Sequence, residues 1–129
     1  MAEDKKTIGL TDANKVIMDR VVERAGFKSN LDAAKFAFAL AVHRGCEPSP
    51  FEGVGTIWNV GSFDEGGDLK ALIQNLFPNT DAPYRALESL MNTGFVILAS
   101  EMETNPSLRI EDMLRKETAA QGQAGAVVA

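Results

Sequence analysis

The chain has 129 residues, of which 45% are hydrophobic and 24% charged, the size and composition of one globular domain. One cysteine and one histidine exclude a disulfide framework and a four-ligand zinc site built within one chain. No stretch approaches the roughly 20 apolar residues that span a bilayer, and no apolar signal segment follows Met1. We therefore expect a cytoplasmic protein without a membrane partner.

Charge is unevenly distributed along the chain, whose formal net charge is −5. Residues 1–45 carry eight basic and six acidic side chains, whereas residues 46–129 carry five basic and twelve acidic ones. An anionic partner such as DNA should therefore prefer the first third of the chain. The alternative interpretation is that both regions are ordinary solvated surfaces.

The first third of the chain predicts a strand followed by two helices. Apolar and polar residues alternate over residues 5–10, which is typical of a strand. Apolar residues then recur at helical spacing over residues 13–25, and a second helix is expected from residue 29 to about residue 44. A glycine follows each of the two helices.

Capping residues mark the ends of these helices. Thr11 or Asp12 is a suitable N-cap for the first helix, and Gly26 is a suitable residue for ending it. Ser29 and Asp32 have the spacing of a capping box, with an acid in place of the usual Glu or Gln. Both helices are therefore expected to begin at defined residues.

The second predicted helix is apolar on nearly every side. It contains Phe36, Phe38, Leu40 and Val42 among five alanines, and only a narrow stripe is polar. A helix of this kind is buried by more than one neighbour. One short strand and one amphipathic helix cannot cover it, so we expect a homodimer or a higher oligomer.

The rest of the chain predicts an extended segment and more helices. Residues 51–63 are rich in glycine and in β-favouring residues, which favours a strand or an extended segment. Three helices are expected after it, at residues 68–77 (with Asp68 as the cap), 83–103 and 105–114. Residues 1–117 should form a single helical domain, and the Ala/Gly/Gln-rich residues 118–129 a disordered tail.

No set of residues predicts catalysis, a cofactor or a metal. His43 and Cys46 lie three residues apart, but both flank the end of a helix and no third group is available to orient the base. The glycines between Gly53 and Gly61 lack the Gly-Lys-Ser/Thr of a phosphate-binding loop. The acids near Asp64 do not have the spacing of a calcium loop. We therefore expect a protein that is not an enzyme and has no cofactor.

Residues 5–45 resemble a ribbon-helix-helix unit. The resemblance is carried by three features: Lys5-Lys6-Thr7-Ile8-Gly9-Leu10-Thr11, the turn at Gly26, and Ser29-Asn30-Leu31-Asp32 opening an alanine-rich helix. In that family, the strands of two chains pair into an antiparallel ribbon that enters the major groove of DNA. The N-termini of the second helices contact phosphates. The fold class that this implies is mainly α, with a ribbon-helix-helix-like unit, a short extended segment and a C-terminal helical portion.

A further resemblance extends beyond residue 45. The chain is similar to small proteins of bacterial DNA phosphorothioation (Dnd) systems, including DndE-like subunits and Dnd-associated accessory proteins. The matching segments are Phe27-Lys28-Ser29-Asn30-Leu31-Asp32, Phe36-Ala37-Phe38-Ala39-Leu40, Gly45 and Leu90-Met91-Asn92-Thr93-Gly94-Phe95. The resemblance implies a non-catalytic component of a DNA modification or phage-restriction complex.

Together these features predict a DNA-associated subunit that binds the DNA backbone as a homo-oligomer, alongside other subunits of such a complex. The expected DNA contacts are Lys5, Lys6, Thr7, Lys28, Ser29 and Asn30. The alternative hypothesis is a protein-interaction adaptor that makes no DNA contact and docks a partner through its acidic C-terminal portion. DNA binding through phosphates should weaken steeply with salt, which distinguishes the two.

Overall fold

The computed structural model of the chain describes residues 4–104. In chain order, its elements are β1 (Thr7–Thr11), α1 (Asp12–Ala25), α2 (Asn30–His43), β2 (Val54–Asn59), α3 (Val60–Phe63), α4 (Asp68–Leu76) and α5 (Pro83–Thr104). The helix predicted at residues 105–114 and the tail predicted at residues 118–129 lie outside the described residues.

The helix α5 is the centre of the fold. It packs most extensively against α2 and also contacts α1, α4 and β1. Its buried side chains run the length of the helix, because nearly every face has a neighbour. No helix within residues 4–104 combines the length and the hydropathy needed to cross a membrane. The largest fully buried side chains are Phe38, Phe63, Phe95, Ile8, Leu10, Ile73, Leu87, Leu90, Met91 and Leu98.

The predicted caps of α1 and α2 are confirmed. The Thr11 hydroxyl accepts a hydrogen bond from the Asn14 N–H at 3.1 Å, and the Ser29 hydroxyl accepts one from the Asp32 N–H at 3.2 Å. Gly26 follows α1 with a φ of 76°, in the left-handed region that glycine adopts without strain. These local signals define the two helices independently of the rest of the fold.

The extended segment expected within residues 51–63 is confirmed as the strand β2, which pairs antiparallel with β1. Ile8 lies opposite Trp58 and Gly9 opposite Thr56, so the register shifts by one residue between them. A Cβ on Gly9 would overlap the backbone carbonyl of Gly55. Glycine is therefore required at position 9 for the close approach of the two strands.

The ribbon-helix-helix assignment, and with it the predicted fold class, is wrong. The fold is rich in helix but contains a small antiparallel sheet formed within one chain. One edge of β1 pairs with β2. On the other edge, the Gly9 N–H donates to Glu88 and the Thr11 N–H donates to Asn92, both on α5. No edge of β1 remains to pair with a second copy.

The single chain also covers α2. Phe38 is 2% exposed and Leu40 is 5% exposed, while Phe36 is half-buried with its ring against that of Phe27. The expected oligomer is therefore not needed to bury this helix, and it remains a prediction about association. The exposed positions beyond the first residue of α2 form the narrow stripe that the sequence indicates, at Asp32, Lys35, Ala39 and His43. Asn30, the first residue of the helix, is exposed on the other side.

Helices α2 and α5 approach each other closely at Gly94. A Cβ at this position would overlap the backbone carbonyl oxygen of Ala37. Small residues at positions 33, 34, 37 and 41 of α2 are fully buried, which lets the two helix backbones approach closely. The packing of the two central helices thus depends on the missing side chain of one glycine.

We predict that Gly94→Ala lowers the free energy of unfolding by about 1–3 kcal/mol, because one helix must shift to accommodate the methyl group. Urea denaturation measures the change. Gly61→Ala is the matched control, since Gly61 is also helical and a Cβ there meets nothing within 4 Å. Equal stability of the Gly94→Ala variant and the wild type would contradict the packing described for α2 and α5.

Candidate nucleic-acid surface and the polar network of helix α5

The predicted DNA contacts at the start of β1 are mostly engaged within the protein. The Lys5 ammonium forms an ion pair with the carboxylate of Glu88, and only 23% of the Lys5 side chain is exposed. The Thr7 and Thr56 hydroxyls share a hydrogen bond of 3.2 Å. Lys6 alone of the three predicted residues is fully exposed. Lys5 therefore stabilises the fold and is withdrawn from the predicted DNA contacts.

The predicted contacts at the start of α2 have a different environment. Lys28, Ser29 and Asn30 are all exposed. The Ser29 hydroxyl serves as the helix cap, since it accepts the N–H of Asp32. Lys28 and Asn30 keep exposed polar side chains beside the positive end of the helix dipole. This end of α2 remains suited to an anion.

A third lysine, which the sequence prediction did not include, connects these two regions. The Lys35 ammonium lies 6.0 Å from the centroid of the Phe63 ring at the end of α3. At the other end of this four-residue helix, the Val60 N–H donates to the Lys6 carbonyl at 3.0 Å. Lys35 lies on the exposed side of α2, whereas Lys28 precedes Ser29, the N-cap of that helix.

We call Lys6, Lys28 and Lys35 the basic surface. The segment that carries Lys28 is held to α2 by the contact of the Phe27 and Phe36 rings, whose centroids are 5.4 Å apart. The acidic residue on the same stripe of α2 is Asp32, which is exposed. Helical spacing gives no signal that joins Lys28 to Lys35, because Lys28 precedes the extended N-cap residue Ser29.

The opposite side of β1 is bound to a polar stripe on α5. The Asp4 carboxylate accepts the N–H groups of Tyr84 and Arg85, at 3.0 and 3.1 Å, and so caps the N-terminus of α5. One turn further along α5, Glu88 binds Lys5 and Gly9. The residues before and within β1 are thereby aligned along the first turns of α5.

Asn92 completes this network one turn beyond Glu88 and is fully buried. Its Nδ2 donates to the carbonyls of Gly9 and Glu88, at 3.1 and 2.8 Å. Its Oδ1 accepts from the Thr11 N–H at 3.2 Å and from Asn14 Nδ2 at 2.8 Å. One amide therefore joins β1, α1 and α5, with both amide hydrogens and the oxygen used.

Sequence reasoning did not identify Glu88 and Asn92. The available signal was their spacing of four residues on a helix whose other core positions are mostly apolar. Polar residues at that spacing on a buried helix predict a buried polar partner, because unpaired polar groups are costly to bury. That partner is the edge of β1, some 80 residues earlier in the chain. Local sequence patterns cannot predict a contact over such a distance.

We predict that Asn92→Ala lowers the free energy of unfolding by about 2 kcal/mol or more, because it leaves several buried backbone and side-chain groups without hydrogen bonds. Asn75→Ala is the control. Asn75 is exposed and makes one bond to the Ala71 carbonyl, so its loss should change stability by about 0.5 kcal/mol at most. Similar urea midpoints for the two variants would contradict the structural role of Asn92.

The predicted cap of α4 is corrected. Asp68 is the first residue of α4, and it is the Asp64 carboxylate that accepts the N–H groups of Leu69 and Lys70, at 2.8 and 3.0 Å. Asp64 also accepts the hydroxyl of Tyr84 at 3.0 Å. Asp64 is buried, and these hydrogen bonds join the start of α4 to the start of α5.

Tyr84 has an altered acidity as a result. Burial and the hydrogen bond to Asp64 raise its pKa from 10.0 to about 12. Since the folded pKa lies above the unfolded one, the contribution of Tyr84 to folding stability should be fully present below pH 10 and be lost as the pH rises from about 10 to 12.

We predict that Tyr84, the only tyrosine of the chain, titrates near pH 12 when followed by tyrosinate absorbance. Asp64→Asn should move the midpoint towards 10, because it removes the negative charge next to the phenol. A midpoint near 10 in the folded wild type would show that the hydrogen bond to Asp64 does not form.

The other candidate residues do not assemble into a site. His43 is exposed, Cys46 is half-buried, and no hydrogen bond joins them in the described part of the chain. Within residues 4–104, no group of three His, Cys, Asp or Glu side chains is placed to hold a metal ion.

Comparison with known proteins identifies no relative. No protein-family model matches the chain, and no curated protein or solved structure matches it significantly. Its function is therefore argued from the geometry of the basic surface and from the motifs of the sequence.

Proposed function

We propose that this protein is a non-catalytic, DNA-associated subunit of a bacterial DNA modification or anti-phage defence complex, acting in the cytoplasm as a homo-oligomer. The observation that carries the proposal is the basic surface, which consists of three exposed lysines in a protein with a net charge of −5. Lys6 precedes β1, Lys28 precedes the N-cap of α2, and Lys35 lies on α2. Bacterial DNA phosphorothioation systems are the proposed setting, on the basis of the sequence resemblance.

The arrangement favours contacts to phosphates over contacts to bases. Lysine ammonium groups neutralise phosphates without reading sequence. The strand that would enter the major groove in a ribbon-helix-helix dimer has Ile8 and Leu10 fully buried and both edges occupied. The excess of acidic side chains beyond residue 45 repels DNA, so it should confine the duplex to the basic surface.

We predict that the triple variant Lys6→Ala, Lys28→Ala, Lys35→Ala weakens binding to double-stranded DNA across all sequences. Each lysine lost should reduce the slope of log affinity against log salt concentration by about 0.9, and the three together by up to about 2.7. Fluorescence anisotropy titrations at several salt concentrations measure both the affinity and the slope.

The control variant carries Lys15→Ala, Arg20→Ala and Lys70→Ala, which change the net charge equally but lie outside the basic surface. It should retain the wild-type salt slope. Lys5 is kept in both variants, because its removal would leave the buried carboxylate of Glu88 without its ion-pair partner. Equal losses in the two variants would show that only net charge matters, and the basic surface would be refuted.

A second candidate function is a protein-interaction adaptor that does not touch DNA. Leu72 and Leu76 favour it, since they lie one turn apart on α4 and are 40% and 43% exposed. Paired exposed leucines on an amphipathic helix are typical of a surface that meets another protein. If the wild type fails to bind DNA even at low salt, this candidate replaces the first.

A further inference from the structure

A cleft lies on the side of α5 where the connector after α2 crosses it. Its walls come from residues 48–51 of the connector and from residues 80–92, which include the first turns of α5. Its volume is about 320 Å³, at the lower end of the range of small-molecule pockets. None of the DNA contacts proposed above lines it.

The body of the cleft is apolar. Pro48 and Phe51, both half-buried, form the connector wall together with Pro50, and Ala82 and Ala86 form the opposite wall. Prolines restrict the backbone of the connector, so this wall is largely preformed. A compact apolar group would fill the space with little loss of conformational entropy.

Two charged residues, Asp81 and Arg85, also line the cleft; both are exposed and each has an interaction partner. The donors of Ser89 and Asn92 are used within the protein. The Ser89 hydroxyl donates to the Ala86 carbonyl at 3.0 Å, and the Asn92 amide donates to the carbonyls of Gly9 and Glu88. The Thr80 hydroxyl accepts from the Ala82 N–H at 3.3 Å. Ser89 and Asn92 therefore offer a ligand no hydrogen-bond donor.

Glu88 provides the strongest acceptor. Its Oε2 accepts hydrogen bonds from the Lys5 ammonium and the Gly9 N–H. Its Oε1 accepts none from any described residue. No side-chain oxygen in the described part of the chain is both fully buried and unsatisfied. Oε1 is therefore reachable from outside, although 93% of the residue is covered, and Glu88 is one of the residues that line the cleft.

We propose that this cleft binds a small organic amine, with the ammonium donating to Glu88 Oε1 and the apolar body lying between the connector and α5. A charge-assisted hydrogen bond of this type is strong where the carboxylate is shielded from water. Anionic ligands are disfavoured at this position, because their charge would face the Glu88 carboxylate.

Benzylamine serves as the probe, because it joins an ammonium to a compact ring. Two-dimensional amide NMR of the full chain should show saturable shifts confined to residues 48–51 and 80–92, in the millimolar range expected of so small a ligand. Benzoate, with the charge reversed, and methylamine, without the ring, should give no saturable shifts. Equal responses to benzylamine and benzoate, or shifts spread over the acidic surface, would overturn the proposal.

Variants test the role of the carboxylate. Glu88→Gln should weaken benzylamine binding roughly tenfold or more. Glu101→Gln is the matched control, since Glu101 is equally buried and paired with Arg44 but lies outside the cleft, and it should bind as the wild type does. Equal affinities of the two variants would overturn the proposal.

Phe51→Ala provides a second test that leaves the α5 network intact. It removes the aromatic part of the connector wall, so benzylamine binding should weaken several-fold while the melting temperature changes little. This variant keeps the proposal testable even if Glu88→Gln fails to fold. Unchanged benzylamine affinity in Phe51→Ala would show that the cleft is not where the ring binds.

Discussion

The outer edge of β1 is held by side chains of α5, and most of the structure depends on this contact. Asp4, Glu88 and Asn92 form hydrogen bonds at successive turns, so strand and helix are joined by side chains where a second strand would otherwise pair. Backbone groups at a sheet edge require partners. By supplying them from a helix, the chain completes its sheet without a second copy and buries Ile8 and Leu10 against its own core.

This contact also decides which surfaces are available for function. Because β1 packs against α5, the Lys5 ammonium pairs with Glu88 within the protein. The lysines of the basic surface, Lys6, Lys28 and Lys35, are exposed. In the proposed function, this surface contacts the DNA backbone, and no ribbon enters the groove to contact base edges. The proposed function thus keeps the expected partner but changes the contact and the residues that make it.

The same network accounts for the cleft. Glu88 has two carboxylate oxygens, and holding the strand uses only one of them. Asn92, by contrast, uses all of its amide groups internally and has none to offer a ligand. A buried carboxylate therefore combines a structural role on one side with an accessible acceptor on the other. The proposal that the cleft binds an amine rests on this difference between the two oxygens of Glu88, and it is independent of DNA binding.

Local physical chemistry determined the caps at Thr11, Gly26 and Ser29 and the bounds of α1, α2 and α5 to within a few residues, because capping and helical periodicity act over a few positions. Tertiary structure alone decided the partner of β1. A strand and two helices are compatible with an intermolecular ribbon or an intramolecular sheet, and only residues some 80 positions away distinguish the two. For the same reason, the sequence could not show that Lys5 pairs with Glu88 or that Lys35 lies near the Phe63 ring, since folding alone makes both contacts.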